Sequence, residues 1–194
     1  MFELKISVNG KSSTLDFEAA DEILYSIPEK RKYNRIIAEF AKSSLPQARM
    51  EVAGRESISR EVVNILVEDN QIDVLRNLVS NRKARKMIPE NSLLRLIKTE
   101  DYEILETVAD NMHAFSMCDP DILAKRLCRS ENPRVRHSLA EDQLLDKRIM
   151  EILSNDYVGE VAAKAKETLE SIEVEVGEED LELEVGDDEE SEEW

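Results

Sequence analysis

The sequence predicts a mainly α-helical fold: a right-handed α-solenoid of about five short helix pairs, with a small N-terminal β-hairpin cap and an acidic C-terminal tail. The first observation is an apolar helical core that occurs five times along the chain. Self-similarity at a spacing of 25 to 31 residues is typical of helical solenoids. The cores start at Ile37, Val62, Leu93, Ala124 and Ile149.

The second observation is a further apolar segment after each core. Its apolar residues are spaced i, i+4, i+5, which places them on one stripe of a helix. A unit of two short helices cannot bury such a stripe alone, so the units are expected to stack. The stripes are Ala48/Val52/Ala53, Val74/Leu78/Val79, Ile104/Val108/Ala109, Val135/Leu139/Ala140 and Val161/Ala165.

Two of these second segments begin with a proline or with a residue followed by proline. They are residues 46–55 (PQARMEVAGR) and residues 132–140 (NPRVRHSLA). These stretches resemble the leucine-rich repeat variant family, a compact relative of HEAT-type solenoids. The resemblance covers residues 34–170, and it implies a binding scaffold. Some family members hold an iron–sulfur cluster through several cysteines. Only Cys118 and Cys128 exist here, so that property does not carry over.

Three regions are predicted along the chain. Residues 1–33 form an N-terminal cap: alternating residues flank Asn9-Gly10, which predicts a β-hairpin, and Asp21 is expected to cap a short helix that Pro28 ends. The hairpin is expected to pack on the first helices. Residues 34–170 form the helical-repeat domain, in which Asp119-Pro120 and Asn132-Pro133 mark helix starts.

Residues 171–194 form the third region, an acidic tail that contains 13 of the 43 acidic residues and no Lys or Arg. The chain carries a net charge of −17, but residues 1–170 are nearly balanced, with 26 basic against 30 acidic residues. Residues 172–177 and 181–186 alternate apolar and acidic side chains. We expect the tail to be disordered, or to form strands on binding to a partner.

Composition and motifs argue against several functional classes. No apolar run approaches the length of a membrane span, and the N-terminus lacks the pattern of a secretory signal, so a cytoplasmic location without membrane contact is expected. Phosphate-binding glycine loops, nucleophile elbows and zinc-ligand spacings are absent from the sequence. We therefore expect no enzymatic activity and no cofactor.

The spacing of the repeats indicates where a partner binds. Six residues separate the second helix from the next core after Arg55 and after Asp142, but eleven and twelve do so after Asn81 and Asn111. Insertions at one repeat position emerge on one edge of a solenoid. A protein-interaction scaffold or adaptor is therefore predicted, binding another protein through this edge. The predicted contacts are Arg82, Lys83, Arg85, Lys86, Phe115 and Met117.

Other interpretations of the same residues remain open. In one interpretation, the four basic residues within 82–86 bind phosphates or an acidic peptide together with Arg126, Arg129, Arg134 and Arg136. In the other, all eight are ordinary solvent-exposed side chains. Residues 112–118 contain soft metal ligands, Met112, His113, Met117 and Cys118, but no metal site is predicted.

A DNA glycosylase built on helical repeats is a further possibility. However, residues 1–170 carry no net positive charge, and the only Trp of the chain is its last residue. Direct nucleic-acid binding is therefore not expected. The alternative function assigns binding to the tail, as an acidic decoy that occupies a basic nucleic-acid-binding surface of another protein. Glu192, Glu193 and Trp194 are the predicted docking residues of the tail.

Overall fold

The computed structural model describes residues 5–184, and this part of the chain is mainly helical. The two strands are β1 (Lys5–Val8) and β2 (Lys11–Thr14). The helices before the second insertion are α1 (Phe17–Ser26), α2 (Asn34–Phe40), α3 (Pro46–Gly54), α4 (Arg60–Leu66), α5 (Ile72–Ser80), α6 (Arg82–Arg85), α7 (Glu90–Ile97) and α8 (Tyr102–Asp110). They are followed by α9 (Pro120–Leu127), α10 (Pro133–Ala140), α11 (Lys147–Leu153) and α12 (Gly159–Glu184), and 3-10 turns occur at Arg31–Tyr33 and Met112–Ala114.

The helices belong to two compact units, Met1–Leu123 and Ala124–Trp194. This division differs from the predicted boundaries after residues 33 and 170. Within the first unit, α3 packs on α5 and α5 packs on α8, so the second helices of successive pairs lie against one another. Within the second unit, α10 and α11 both pack on α12. In each unit, therefore, helix pairs shelter their apolar stripes against neighbouring helices.

The predicted hairpin is present. Strands β1 and β2 pair antiparallel with Val8 opposite Lys11, and both turn residues have positive φ, 50° at Asn9 and 76° at Gly10. Asn and Gly are the residues that adopt this conformation at least cost. Every strand side chain that the structure describes is exposed, including Val8 at 62%. The expectation that the hairpin itself packs as the cap is wrong, because its mostly polar strands have little apolar surface to bury.

Helix α1 supplies the cap in its place. It begins after Asp16, whose Oδ1 accepts from the Ala19 amide at 3.0 Å, so the predicted cap at Asp21 is wrong and that residue lies inside the helix. Leu24 is completely buried. The guanidinium of Arg55, at the end of α3, donates to the Leu24 carbonyl at 3.1 Å. This carbonyl also accepts from the Ile27 amide at 3.2 Å, so Arg55 is its second donor and joins the end of α3 to the end of α1.

All five predicted helix pairs occur at the predicted positions, as α2/α3, α4/α5, α7/α8, α9/α10 and α11/α12. Every residue of the predicted second-helix stripes is buried, with at most 6% of its surface exposed. The predicted helix starts are also present, since Asp119 accepts from the Asp121 amide at 2.9 Å and Asn132 from the Arg134 amide at 3.0 Å. The 3.6-residue periodicity therefore identified the core of each pair.

Arginine–aspartate pairs connect successive helix pairs within each unit. In the first unit, Arg49 of α3 contacts Asp69 with Nε–Oδ2 at 2.5 Å, and Arg76 of α5 contacts Asp101 with Nη2–Oδ2 at 2.6 Å. Asp69 precedes α5 and accepts a hydrogen bond from the amide of Gln71, the residue before that helix. Asp101 precedes α8 and accepts from the Ile104 amide, in the first turn of that helix, at 3.1 Å. One carboxylate thus binds two neighbouring second helices together.

The structure assigns residues 172–184 to the continuation of α12, and the expectation of disorder, or of strands on binding to a partner, stays a prediction. Glu, which supplies six of these thirteen residues, is a strong helix former. A helix also satisfies its backbone groups locally, whereas a strand needs a partner edge. Among the described residues, no helix has the length and apolar character needed to cross a bilayer.

Candidate functional site

The first insertion is held in place by Asn81, the residue between α5 and α6. Its Oδ1 accepts from the amides of Lys83 at 2.9 Å and Ala84 at 3.2 Å, which starts α6. Its Nδ2 donates to the carbonyls of Ala53 and Arg55, each at 2.8 Å, at the end of α3. A single amide side chain therefore caps one helix and ties the insertion to the preceding helix pair.

Helix α6 has one buried side and one basic side. Ala84 is completely buried, whereas Arg82, Lys83 and Lys86 are exposed. None of these three side chains forms an ion pair or hydrogen bond with a side chain that the structure describes. Three of the predicted contact residues are thus exposed to solvent on one short segment.

Arg85 has a structural role instead. It donates from Nε to the Val79 carbonyl at 2.7 Å, from Nη2 to the Ser80 carbonyl at 3.1 Å, and from Nη1 to Oδ1 of Asn111. These bonds satisfy carbonyls at the end of α5. Burial, and to a lesser extent the positive charge of Arg82, lowers the pKa of Arg85. Three of its five N–H donors are therefore used within the protein, and its assignment as a partner contact stays a prediction.

The second insertion places two of its apolar side chains in the core. Its 3-10 turn buries Met112 at 2% exposure, and Phe115 follows at 1%. Phe115 cannot contact a partner from this position, so that part of the contact prediction is wrong. The physical reason is that the longer connection contains apolar side chains. Each of them removes more of its surface from water when it packs in the core than when it lies at the edge. Ile88 of the first insertion is likewise completely buried.

Met117 is the exposed member of the second insertion, with 41% of its surface accessible. Its sulfur accepts from Nη1 of Arg60 at 3.3 Å. The neighbouring Cys118 thiol contacts the Ile88 carbonyl at 3.8 Å, and burial, with the nearby Glu90 charge, raises the pKa of Cys118 to about 11. No cluster of three or more His, Cys, Asp or Glu that suits a metal ion is present among the described residues.

The exposed basic side chains of the first insertion line a cleft of about 660 Å³. Arg85 contributes a fourth positive charge to its wall, and Glu56 contributes the one carboxylate among the residues that line it. Asn111, at the end of α8, and Ala114 of the second insertion complete the lining of this cleft. Met117 does not line this cleft.

A second cleft of about 580 Å³ shares Lys83 with the first. It is lined on its other side by Arg31 from the 3-10 turn before α2, and Ile58 and Met87 supply apolar surface. Arg31 is exposed and has no side-chain partner among the described residues. Sequence reasoning missed it: the basic stretch of residues 30–32 is visible, but its proximity to Lys83 is not.

The acidic residue of the second cleft, Glu29, is engaged by the protein. Its Oε1 lies 3.4 Å from Nε of Arg55, and its Oε2 accepts from the Ser57 amide at 2.7 Å. Partial burial acts to raise the pKa of Glu29. The hydrogen bonds from Ser57 and the charge of Arg55 together outweigh this effect, so the pKa of Glu29 is lowered overall. Glu29 is thus satisfied by the protein and leaves Arg31 and Lys83 free.

The other predicted basic residues belong to the second unit. Arg126, Arg129 and Arg134 are exposed, but Arg136 is only 2% exposed and contacts Asp156 with Nε–Oδ2 at 2.6 Å. Arg136 is therefore structural, like Arg49. The predicted tail contacts Glu192, Glu193 and Trp194 lie outside the described residues, and the decoy interpretation that depends on them stays a prediction.

Comparison with known proteins identifies no relative: no family model matches the chain, and neither a curated protein nor a solved structure matches it. The resemblance to the leucine-rich repeat variant family therefore stays a prediction.

Proposed function

We propose that the chain is a non-enzymatic scaffold that binds a partner protein through the basic edge formed by Arg82, Lys83 and Lys86. The observation that carries the proposal is that these three adjacent cations line one cleft and have no anionic partner among the described side chains. The predicted right-handed α-solenoid, the cytoplasmic location and Met117 as a peripheral contact are parts of the same proposal.

The pairing of four other arginines supports this interpretation. Arg49, Arg76, Arg95 and Arg136 each contact an Asp or Glu carboxylate. In a chain with 43 acidic residues, a basic side chain readily finds such a partner. Three neighbouring cations that face solvent together therefore form a local positive field, and such a field accelerates the approach of an oppositely charged surface.

The rigidity of the segment also supports binding. Asn81 and Arg85 attach α6 to α3, to α5 and to Asn111 at the end of α8 through hydrogen bonds. The backbone that carries the exposed cations is thus held before any partner arrives. A preorganised site loses less conformational entropy on binding than a mobile loop does.

The test is affinity capture from the native host with the full chain and a triple charge-reversal variant, Arg82→Glu, Lys83→Glu and Lys86→Glu. The matched control reverses three exposed cations elsewhere, Lys11→Glu, Lys98→Glu and Lys166→Glu, so both variants change the net charge equally.

We expect one protein to be retained by the wild type and the control, and its affinity for the edge variant to fall by roughly tenfold or more when remeasured in purified form. Circular dichroism establishes that both variants remain helical. Equal loss of the partner by both variants indicates a dependence on total charge and contradicts a specific edge. Full retention by the edge variant removes the edge as the binding site.

A further inference from the structure

We infer that the scaffold recognises an extended acidic peptide segment, which lies across both clefts from Lys86 to Arg31. This inference rests on the proposed function, since it names the class of partner that the same edge takes. It adds Arg31 as a contact, and it assigns Lys83 to the centre of the site because Lys83 lines both clefts.

The first argument is the excess of positive charge. The walls of the first cleft contain four cations and one carboxylate, Glu56. Arg85 meets only carbonyl and amide oxygens, so its charge is not neutralised by an acid. The planar guanidinium groups of Arg82 and Arg31 suit a carboxylate geometrically, and the lysines add point charges. A ligand with several carboxylates therefore complements this surface.

The second argument is the extent of the site. Two adjoining clefts of about 660 and 580 Å³ together exceed the volume of a typical small-ligand pocket. The two clefts adjoin at Lys83, and all of their lining residues belong to the first unit. An extended peptide fits such a surface because its side chains alternate between the two sides of the backbone.

The third argument concerns the type of polyanion. None of the residues lining the two clefts is aromatic, whereas single-stranded nucleic acids are held largely by bases stacked on aromatic side chains. The chain as a whole carries a charge of −17, which opposes the approach of a long phosphate backbone. A short acidic peptide meets the local positive field with less of this repulsion.

The apolar part of the second cleft refines the expected sequence of the peptide. Met87, which is half-buried, and Ile58, which is 6% exposed, both line this cleft. This surface lies beside Arg31 and Lys83, so an apolar side chain of the peptide can pack there while its neighbouring carboxylates contact the cations. The expected motif is a run of Asp and Glu that contains one Leu or Met.

The test is fluorescence anisotropy of the full chain with a labelled peptide of Asp and Glu around one central Leu. The same peptide with Asn and Gln in place of the acids, and a labelled oligothymidine, are the comparison probes. Protein variants are Arg31→Glu, Lys83→Glu and Lys86→Glu, with Lys98→Glu as the matched control.

We expect the acidic peptide to bind, the amide peptide to bind at least tenfold more weakly, and affinity to fall with added salt. Arg31→Glu and Lys86→Glu are expected to weaken binding by roughly two- to tenfold each, and Lys83→Glu by more than either, while Lys98→Glu leaves it unchanged. Equal binding of the two peptides, or an unchanged affinity of Arg31→Glu, overturns the inference. Tighter binding of oligothymidine than of the peptide overturns it in favour of nucleic acid.

Failure of this inference is distinguishable from failure of the proposed function. If the native partner is lost from the triple edge variant but the acidic peptide does not bind, the scaffold function stands and the peptide class is wrong. If the native partner is retained by the triple variant, the edge itself is wrong, whatever the peptide does.

Discussion

The guanidinium of Arg136 and the carboxylate of Asp156 form a two-pronged ion pair, with Nε–Oδ2 at 2.6 Å and Nη2–Oδ1 at 3.0 Å. Both side chains are nearly fully buried, with 3% and 7% exposed. Arg49 and Asp69 repeat this arrangement in the first unit, again twenty residues apart. In both cases the same arginine also donates to a serine carbonyl six residues before it.

Loss of the Arg136 side chain is expected to destabilise the second unit strongly. Arg136→Ala leaves a buried carboxylate and the Ser130 carbonyl unpaired, so the free energy of unfolding is expected to fall by about 3 to 5 kcal/mol. The measurement is urea denaturation followed by circular dichroism. Arg134→Ala, at an exposed position of the same helix, is the control and is expected to stay within about 0.5 kcal/mol. Similar values for the two variants contradict a structural role for the pair.

The same pair predicts a dependence of stability on pH. Hydrogen bonds from Arg136 lower the pKa of Asp156 in the folded protein, despite partial desolvation. The unfolded chain therefore binds a proton more readily, and the stability contributed by this carboxylate is lost as pH falls below the unfolded pKa of about 3.9 toward the folded value. We expect Asp156→Asn to be less stable at pH 7 but to lose less stability between pH 5 and pH 3. Urea denaturation across this range measures the difference, and parallel curves for both proteins exclude it.

The two apolar residues of the second insertion are expected to separate into a core residue and a surface residue. Phe115→Ala removes a side chain that is 1% exposed, so it is expected to cost about 3 to 5 kcal/mol of unfolding free energy. Met117→Ala is expected to cost less than about 1 kcal/mol, because 41% of that residue is accessible. Thermal and urea unfolding give both values. A small effect of Phe115→Ala places its ring at the surface and contradicts the described packing.

Arg85 and Lys86 are adjacent cations with different roles, and they provide a matched pair of variants. Arg85→Ala leaves carbonyls at the end of α5 and the Asn111 amide oxygen without their donor, with an expected cost of about 1 to 3 kcal/mol. Lys86→Ala removes the same charge from an exposed side chain and is expected to leave stability within about 0.5 kcal/mol. Urea denaturation of both variants separates these effects. Equal stability shows that the hydrogen bonds of Arg85 contribute nothing.

The elements that sequence reasoning predicted well depend on short-range patterns. The buried stripes follow from spacing along one helix, and the starts at Asp119 and Asn132 follow from a capping side chain before a proline. The hairpin turn at Asn9-Gly10 follows from the two residues that most readily adopt positive φ. Each of these features is decided by neighbours within a few positions of the chain.

The errors involve choices between two locally acceptable structures. Phe115 suits an interaction edge as well as a core, and only the space beneath the 3-10 turn decides between them. Arg85 and Lys86 differ in role because one side chain reaches carbonyls that the end of α5 exposes.

The amino-acid sequence by itself determined that this protein is built from short amphipathic helix pairs and that its middle pairs carry insertions, because periodicity and capping act between residues close in the chain. Only the tertiary structure decided which basic residues are occupied and which are free. Arg136 finds Asp156 twenty residues away, whereas Arg31 comes to line a cleft with Lys83 across 52 positions. Such long-range neighbours are set by how the helices pack, and that packing optimises apolar burial across the whole unit rather than within any local segment.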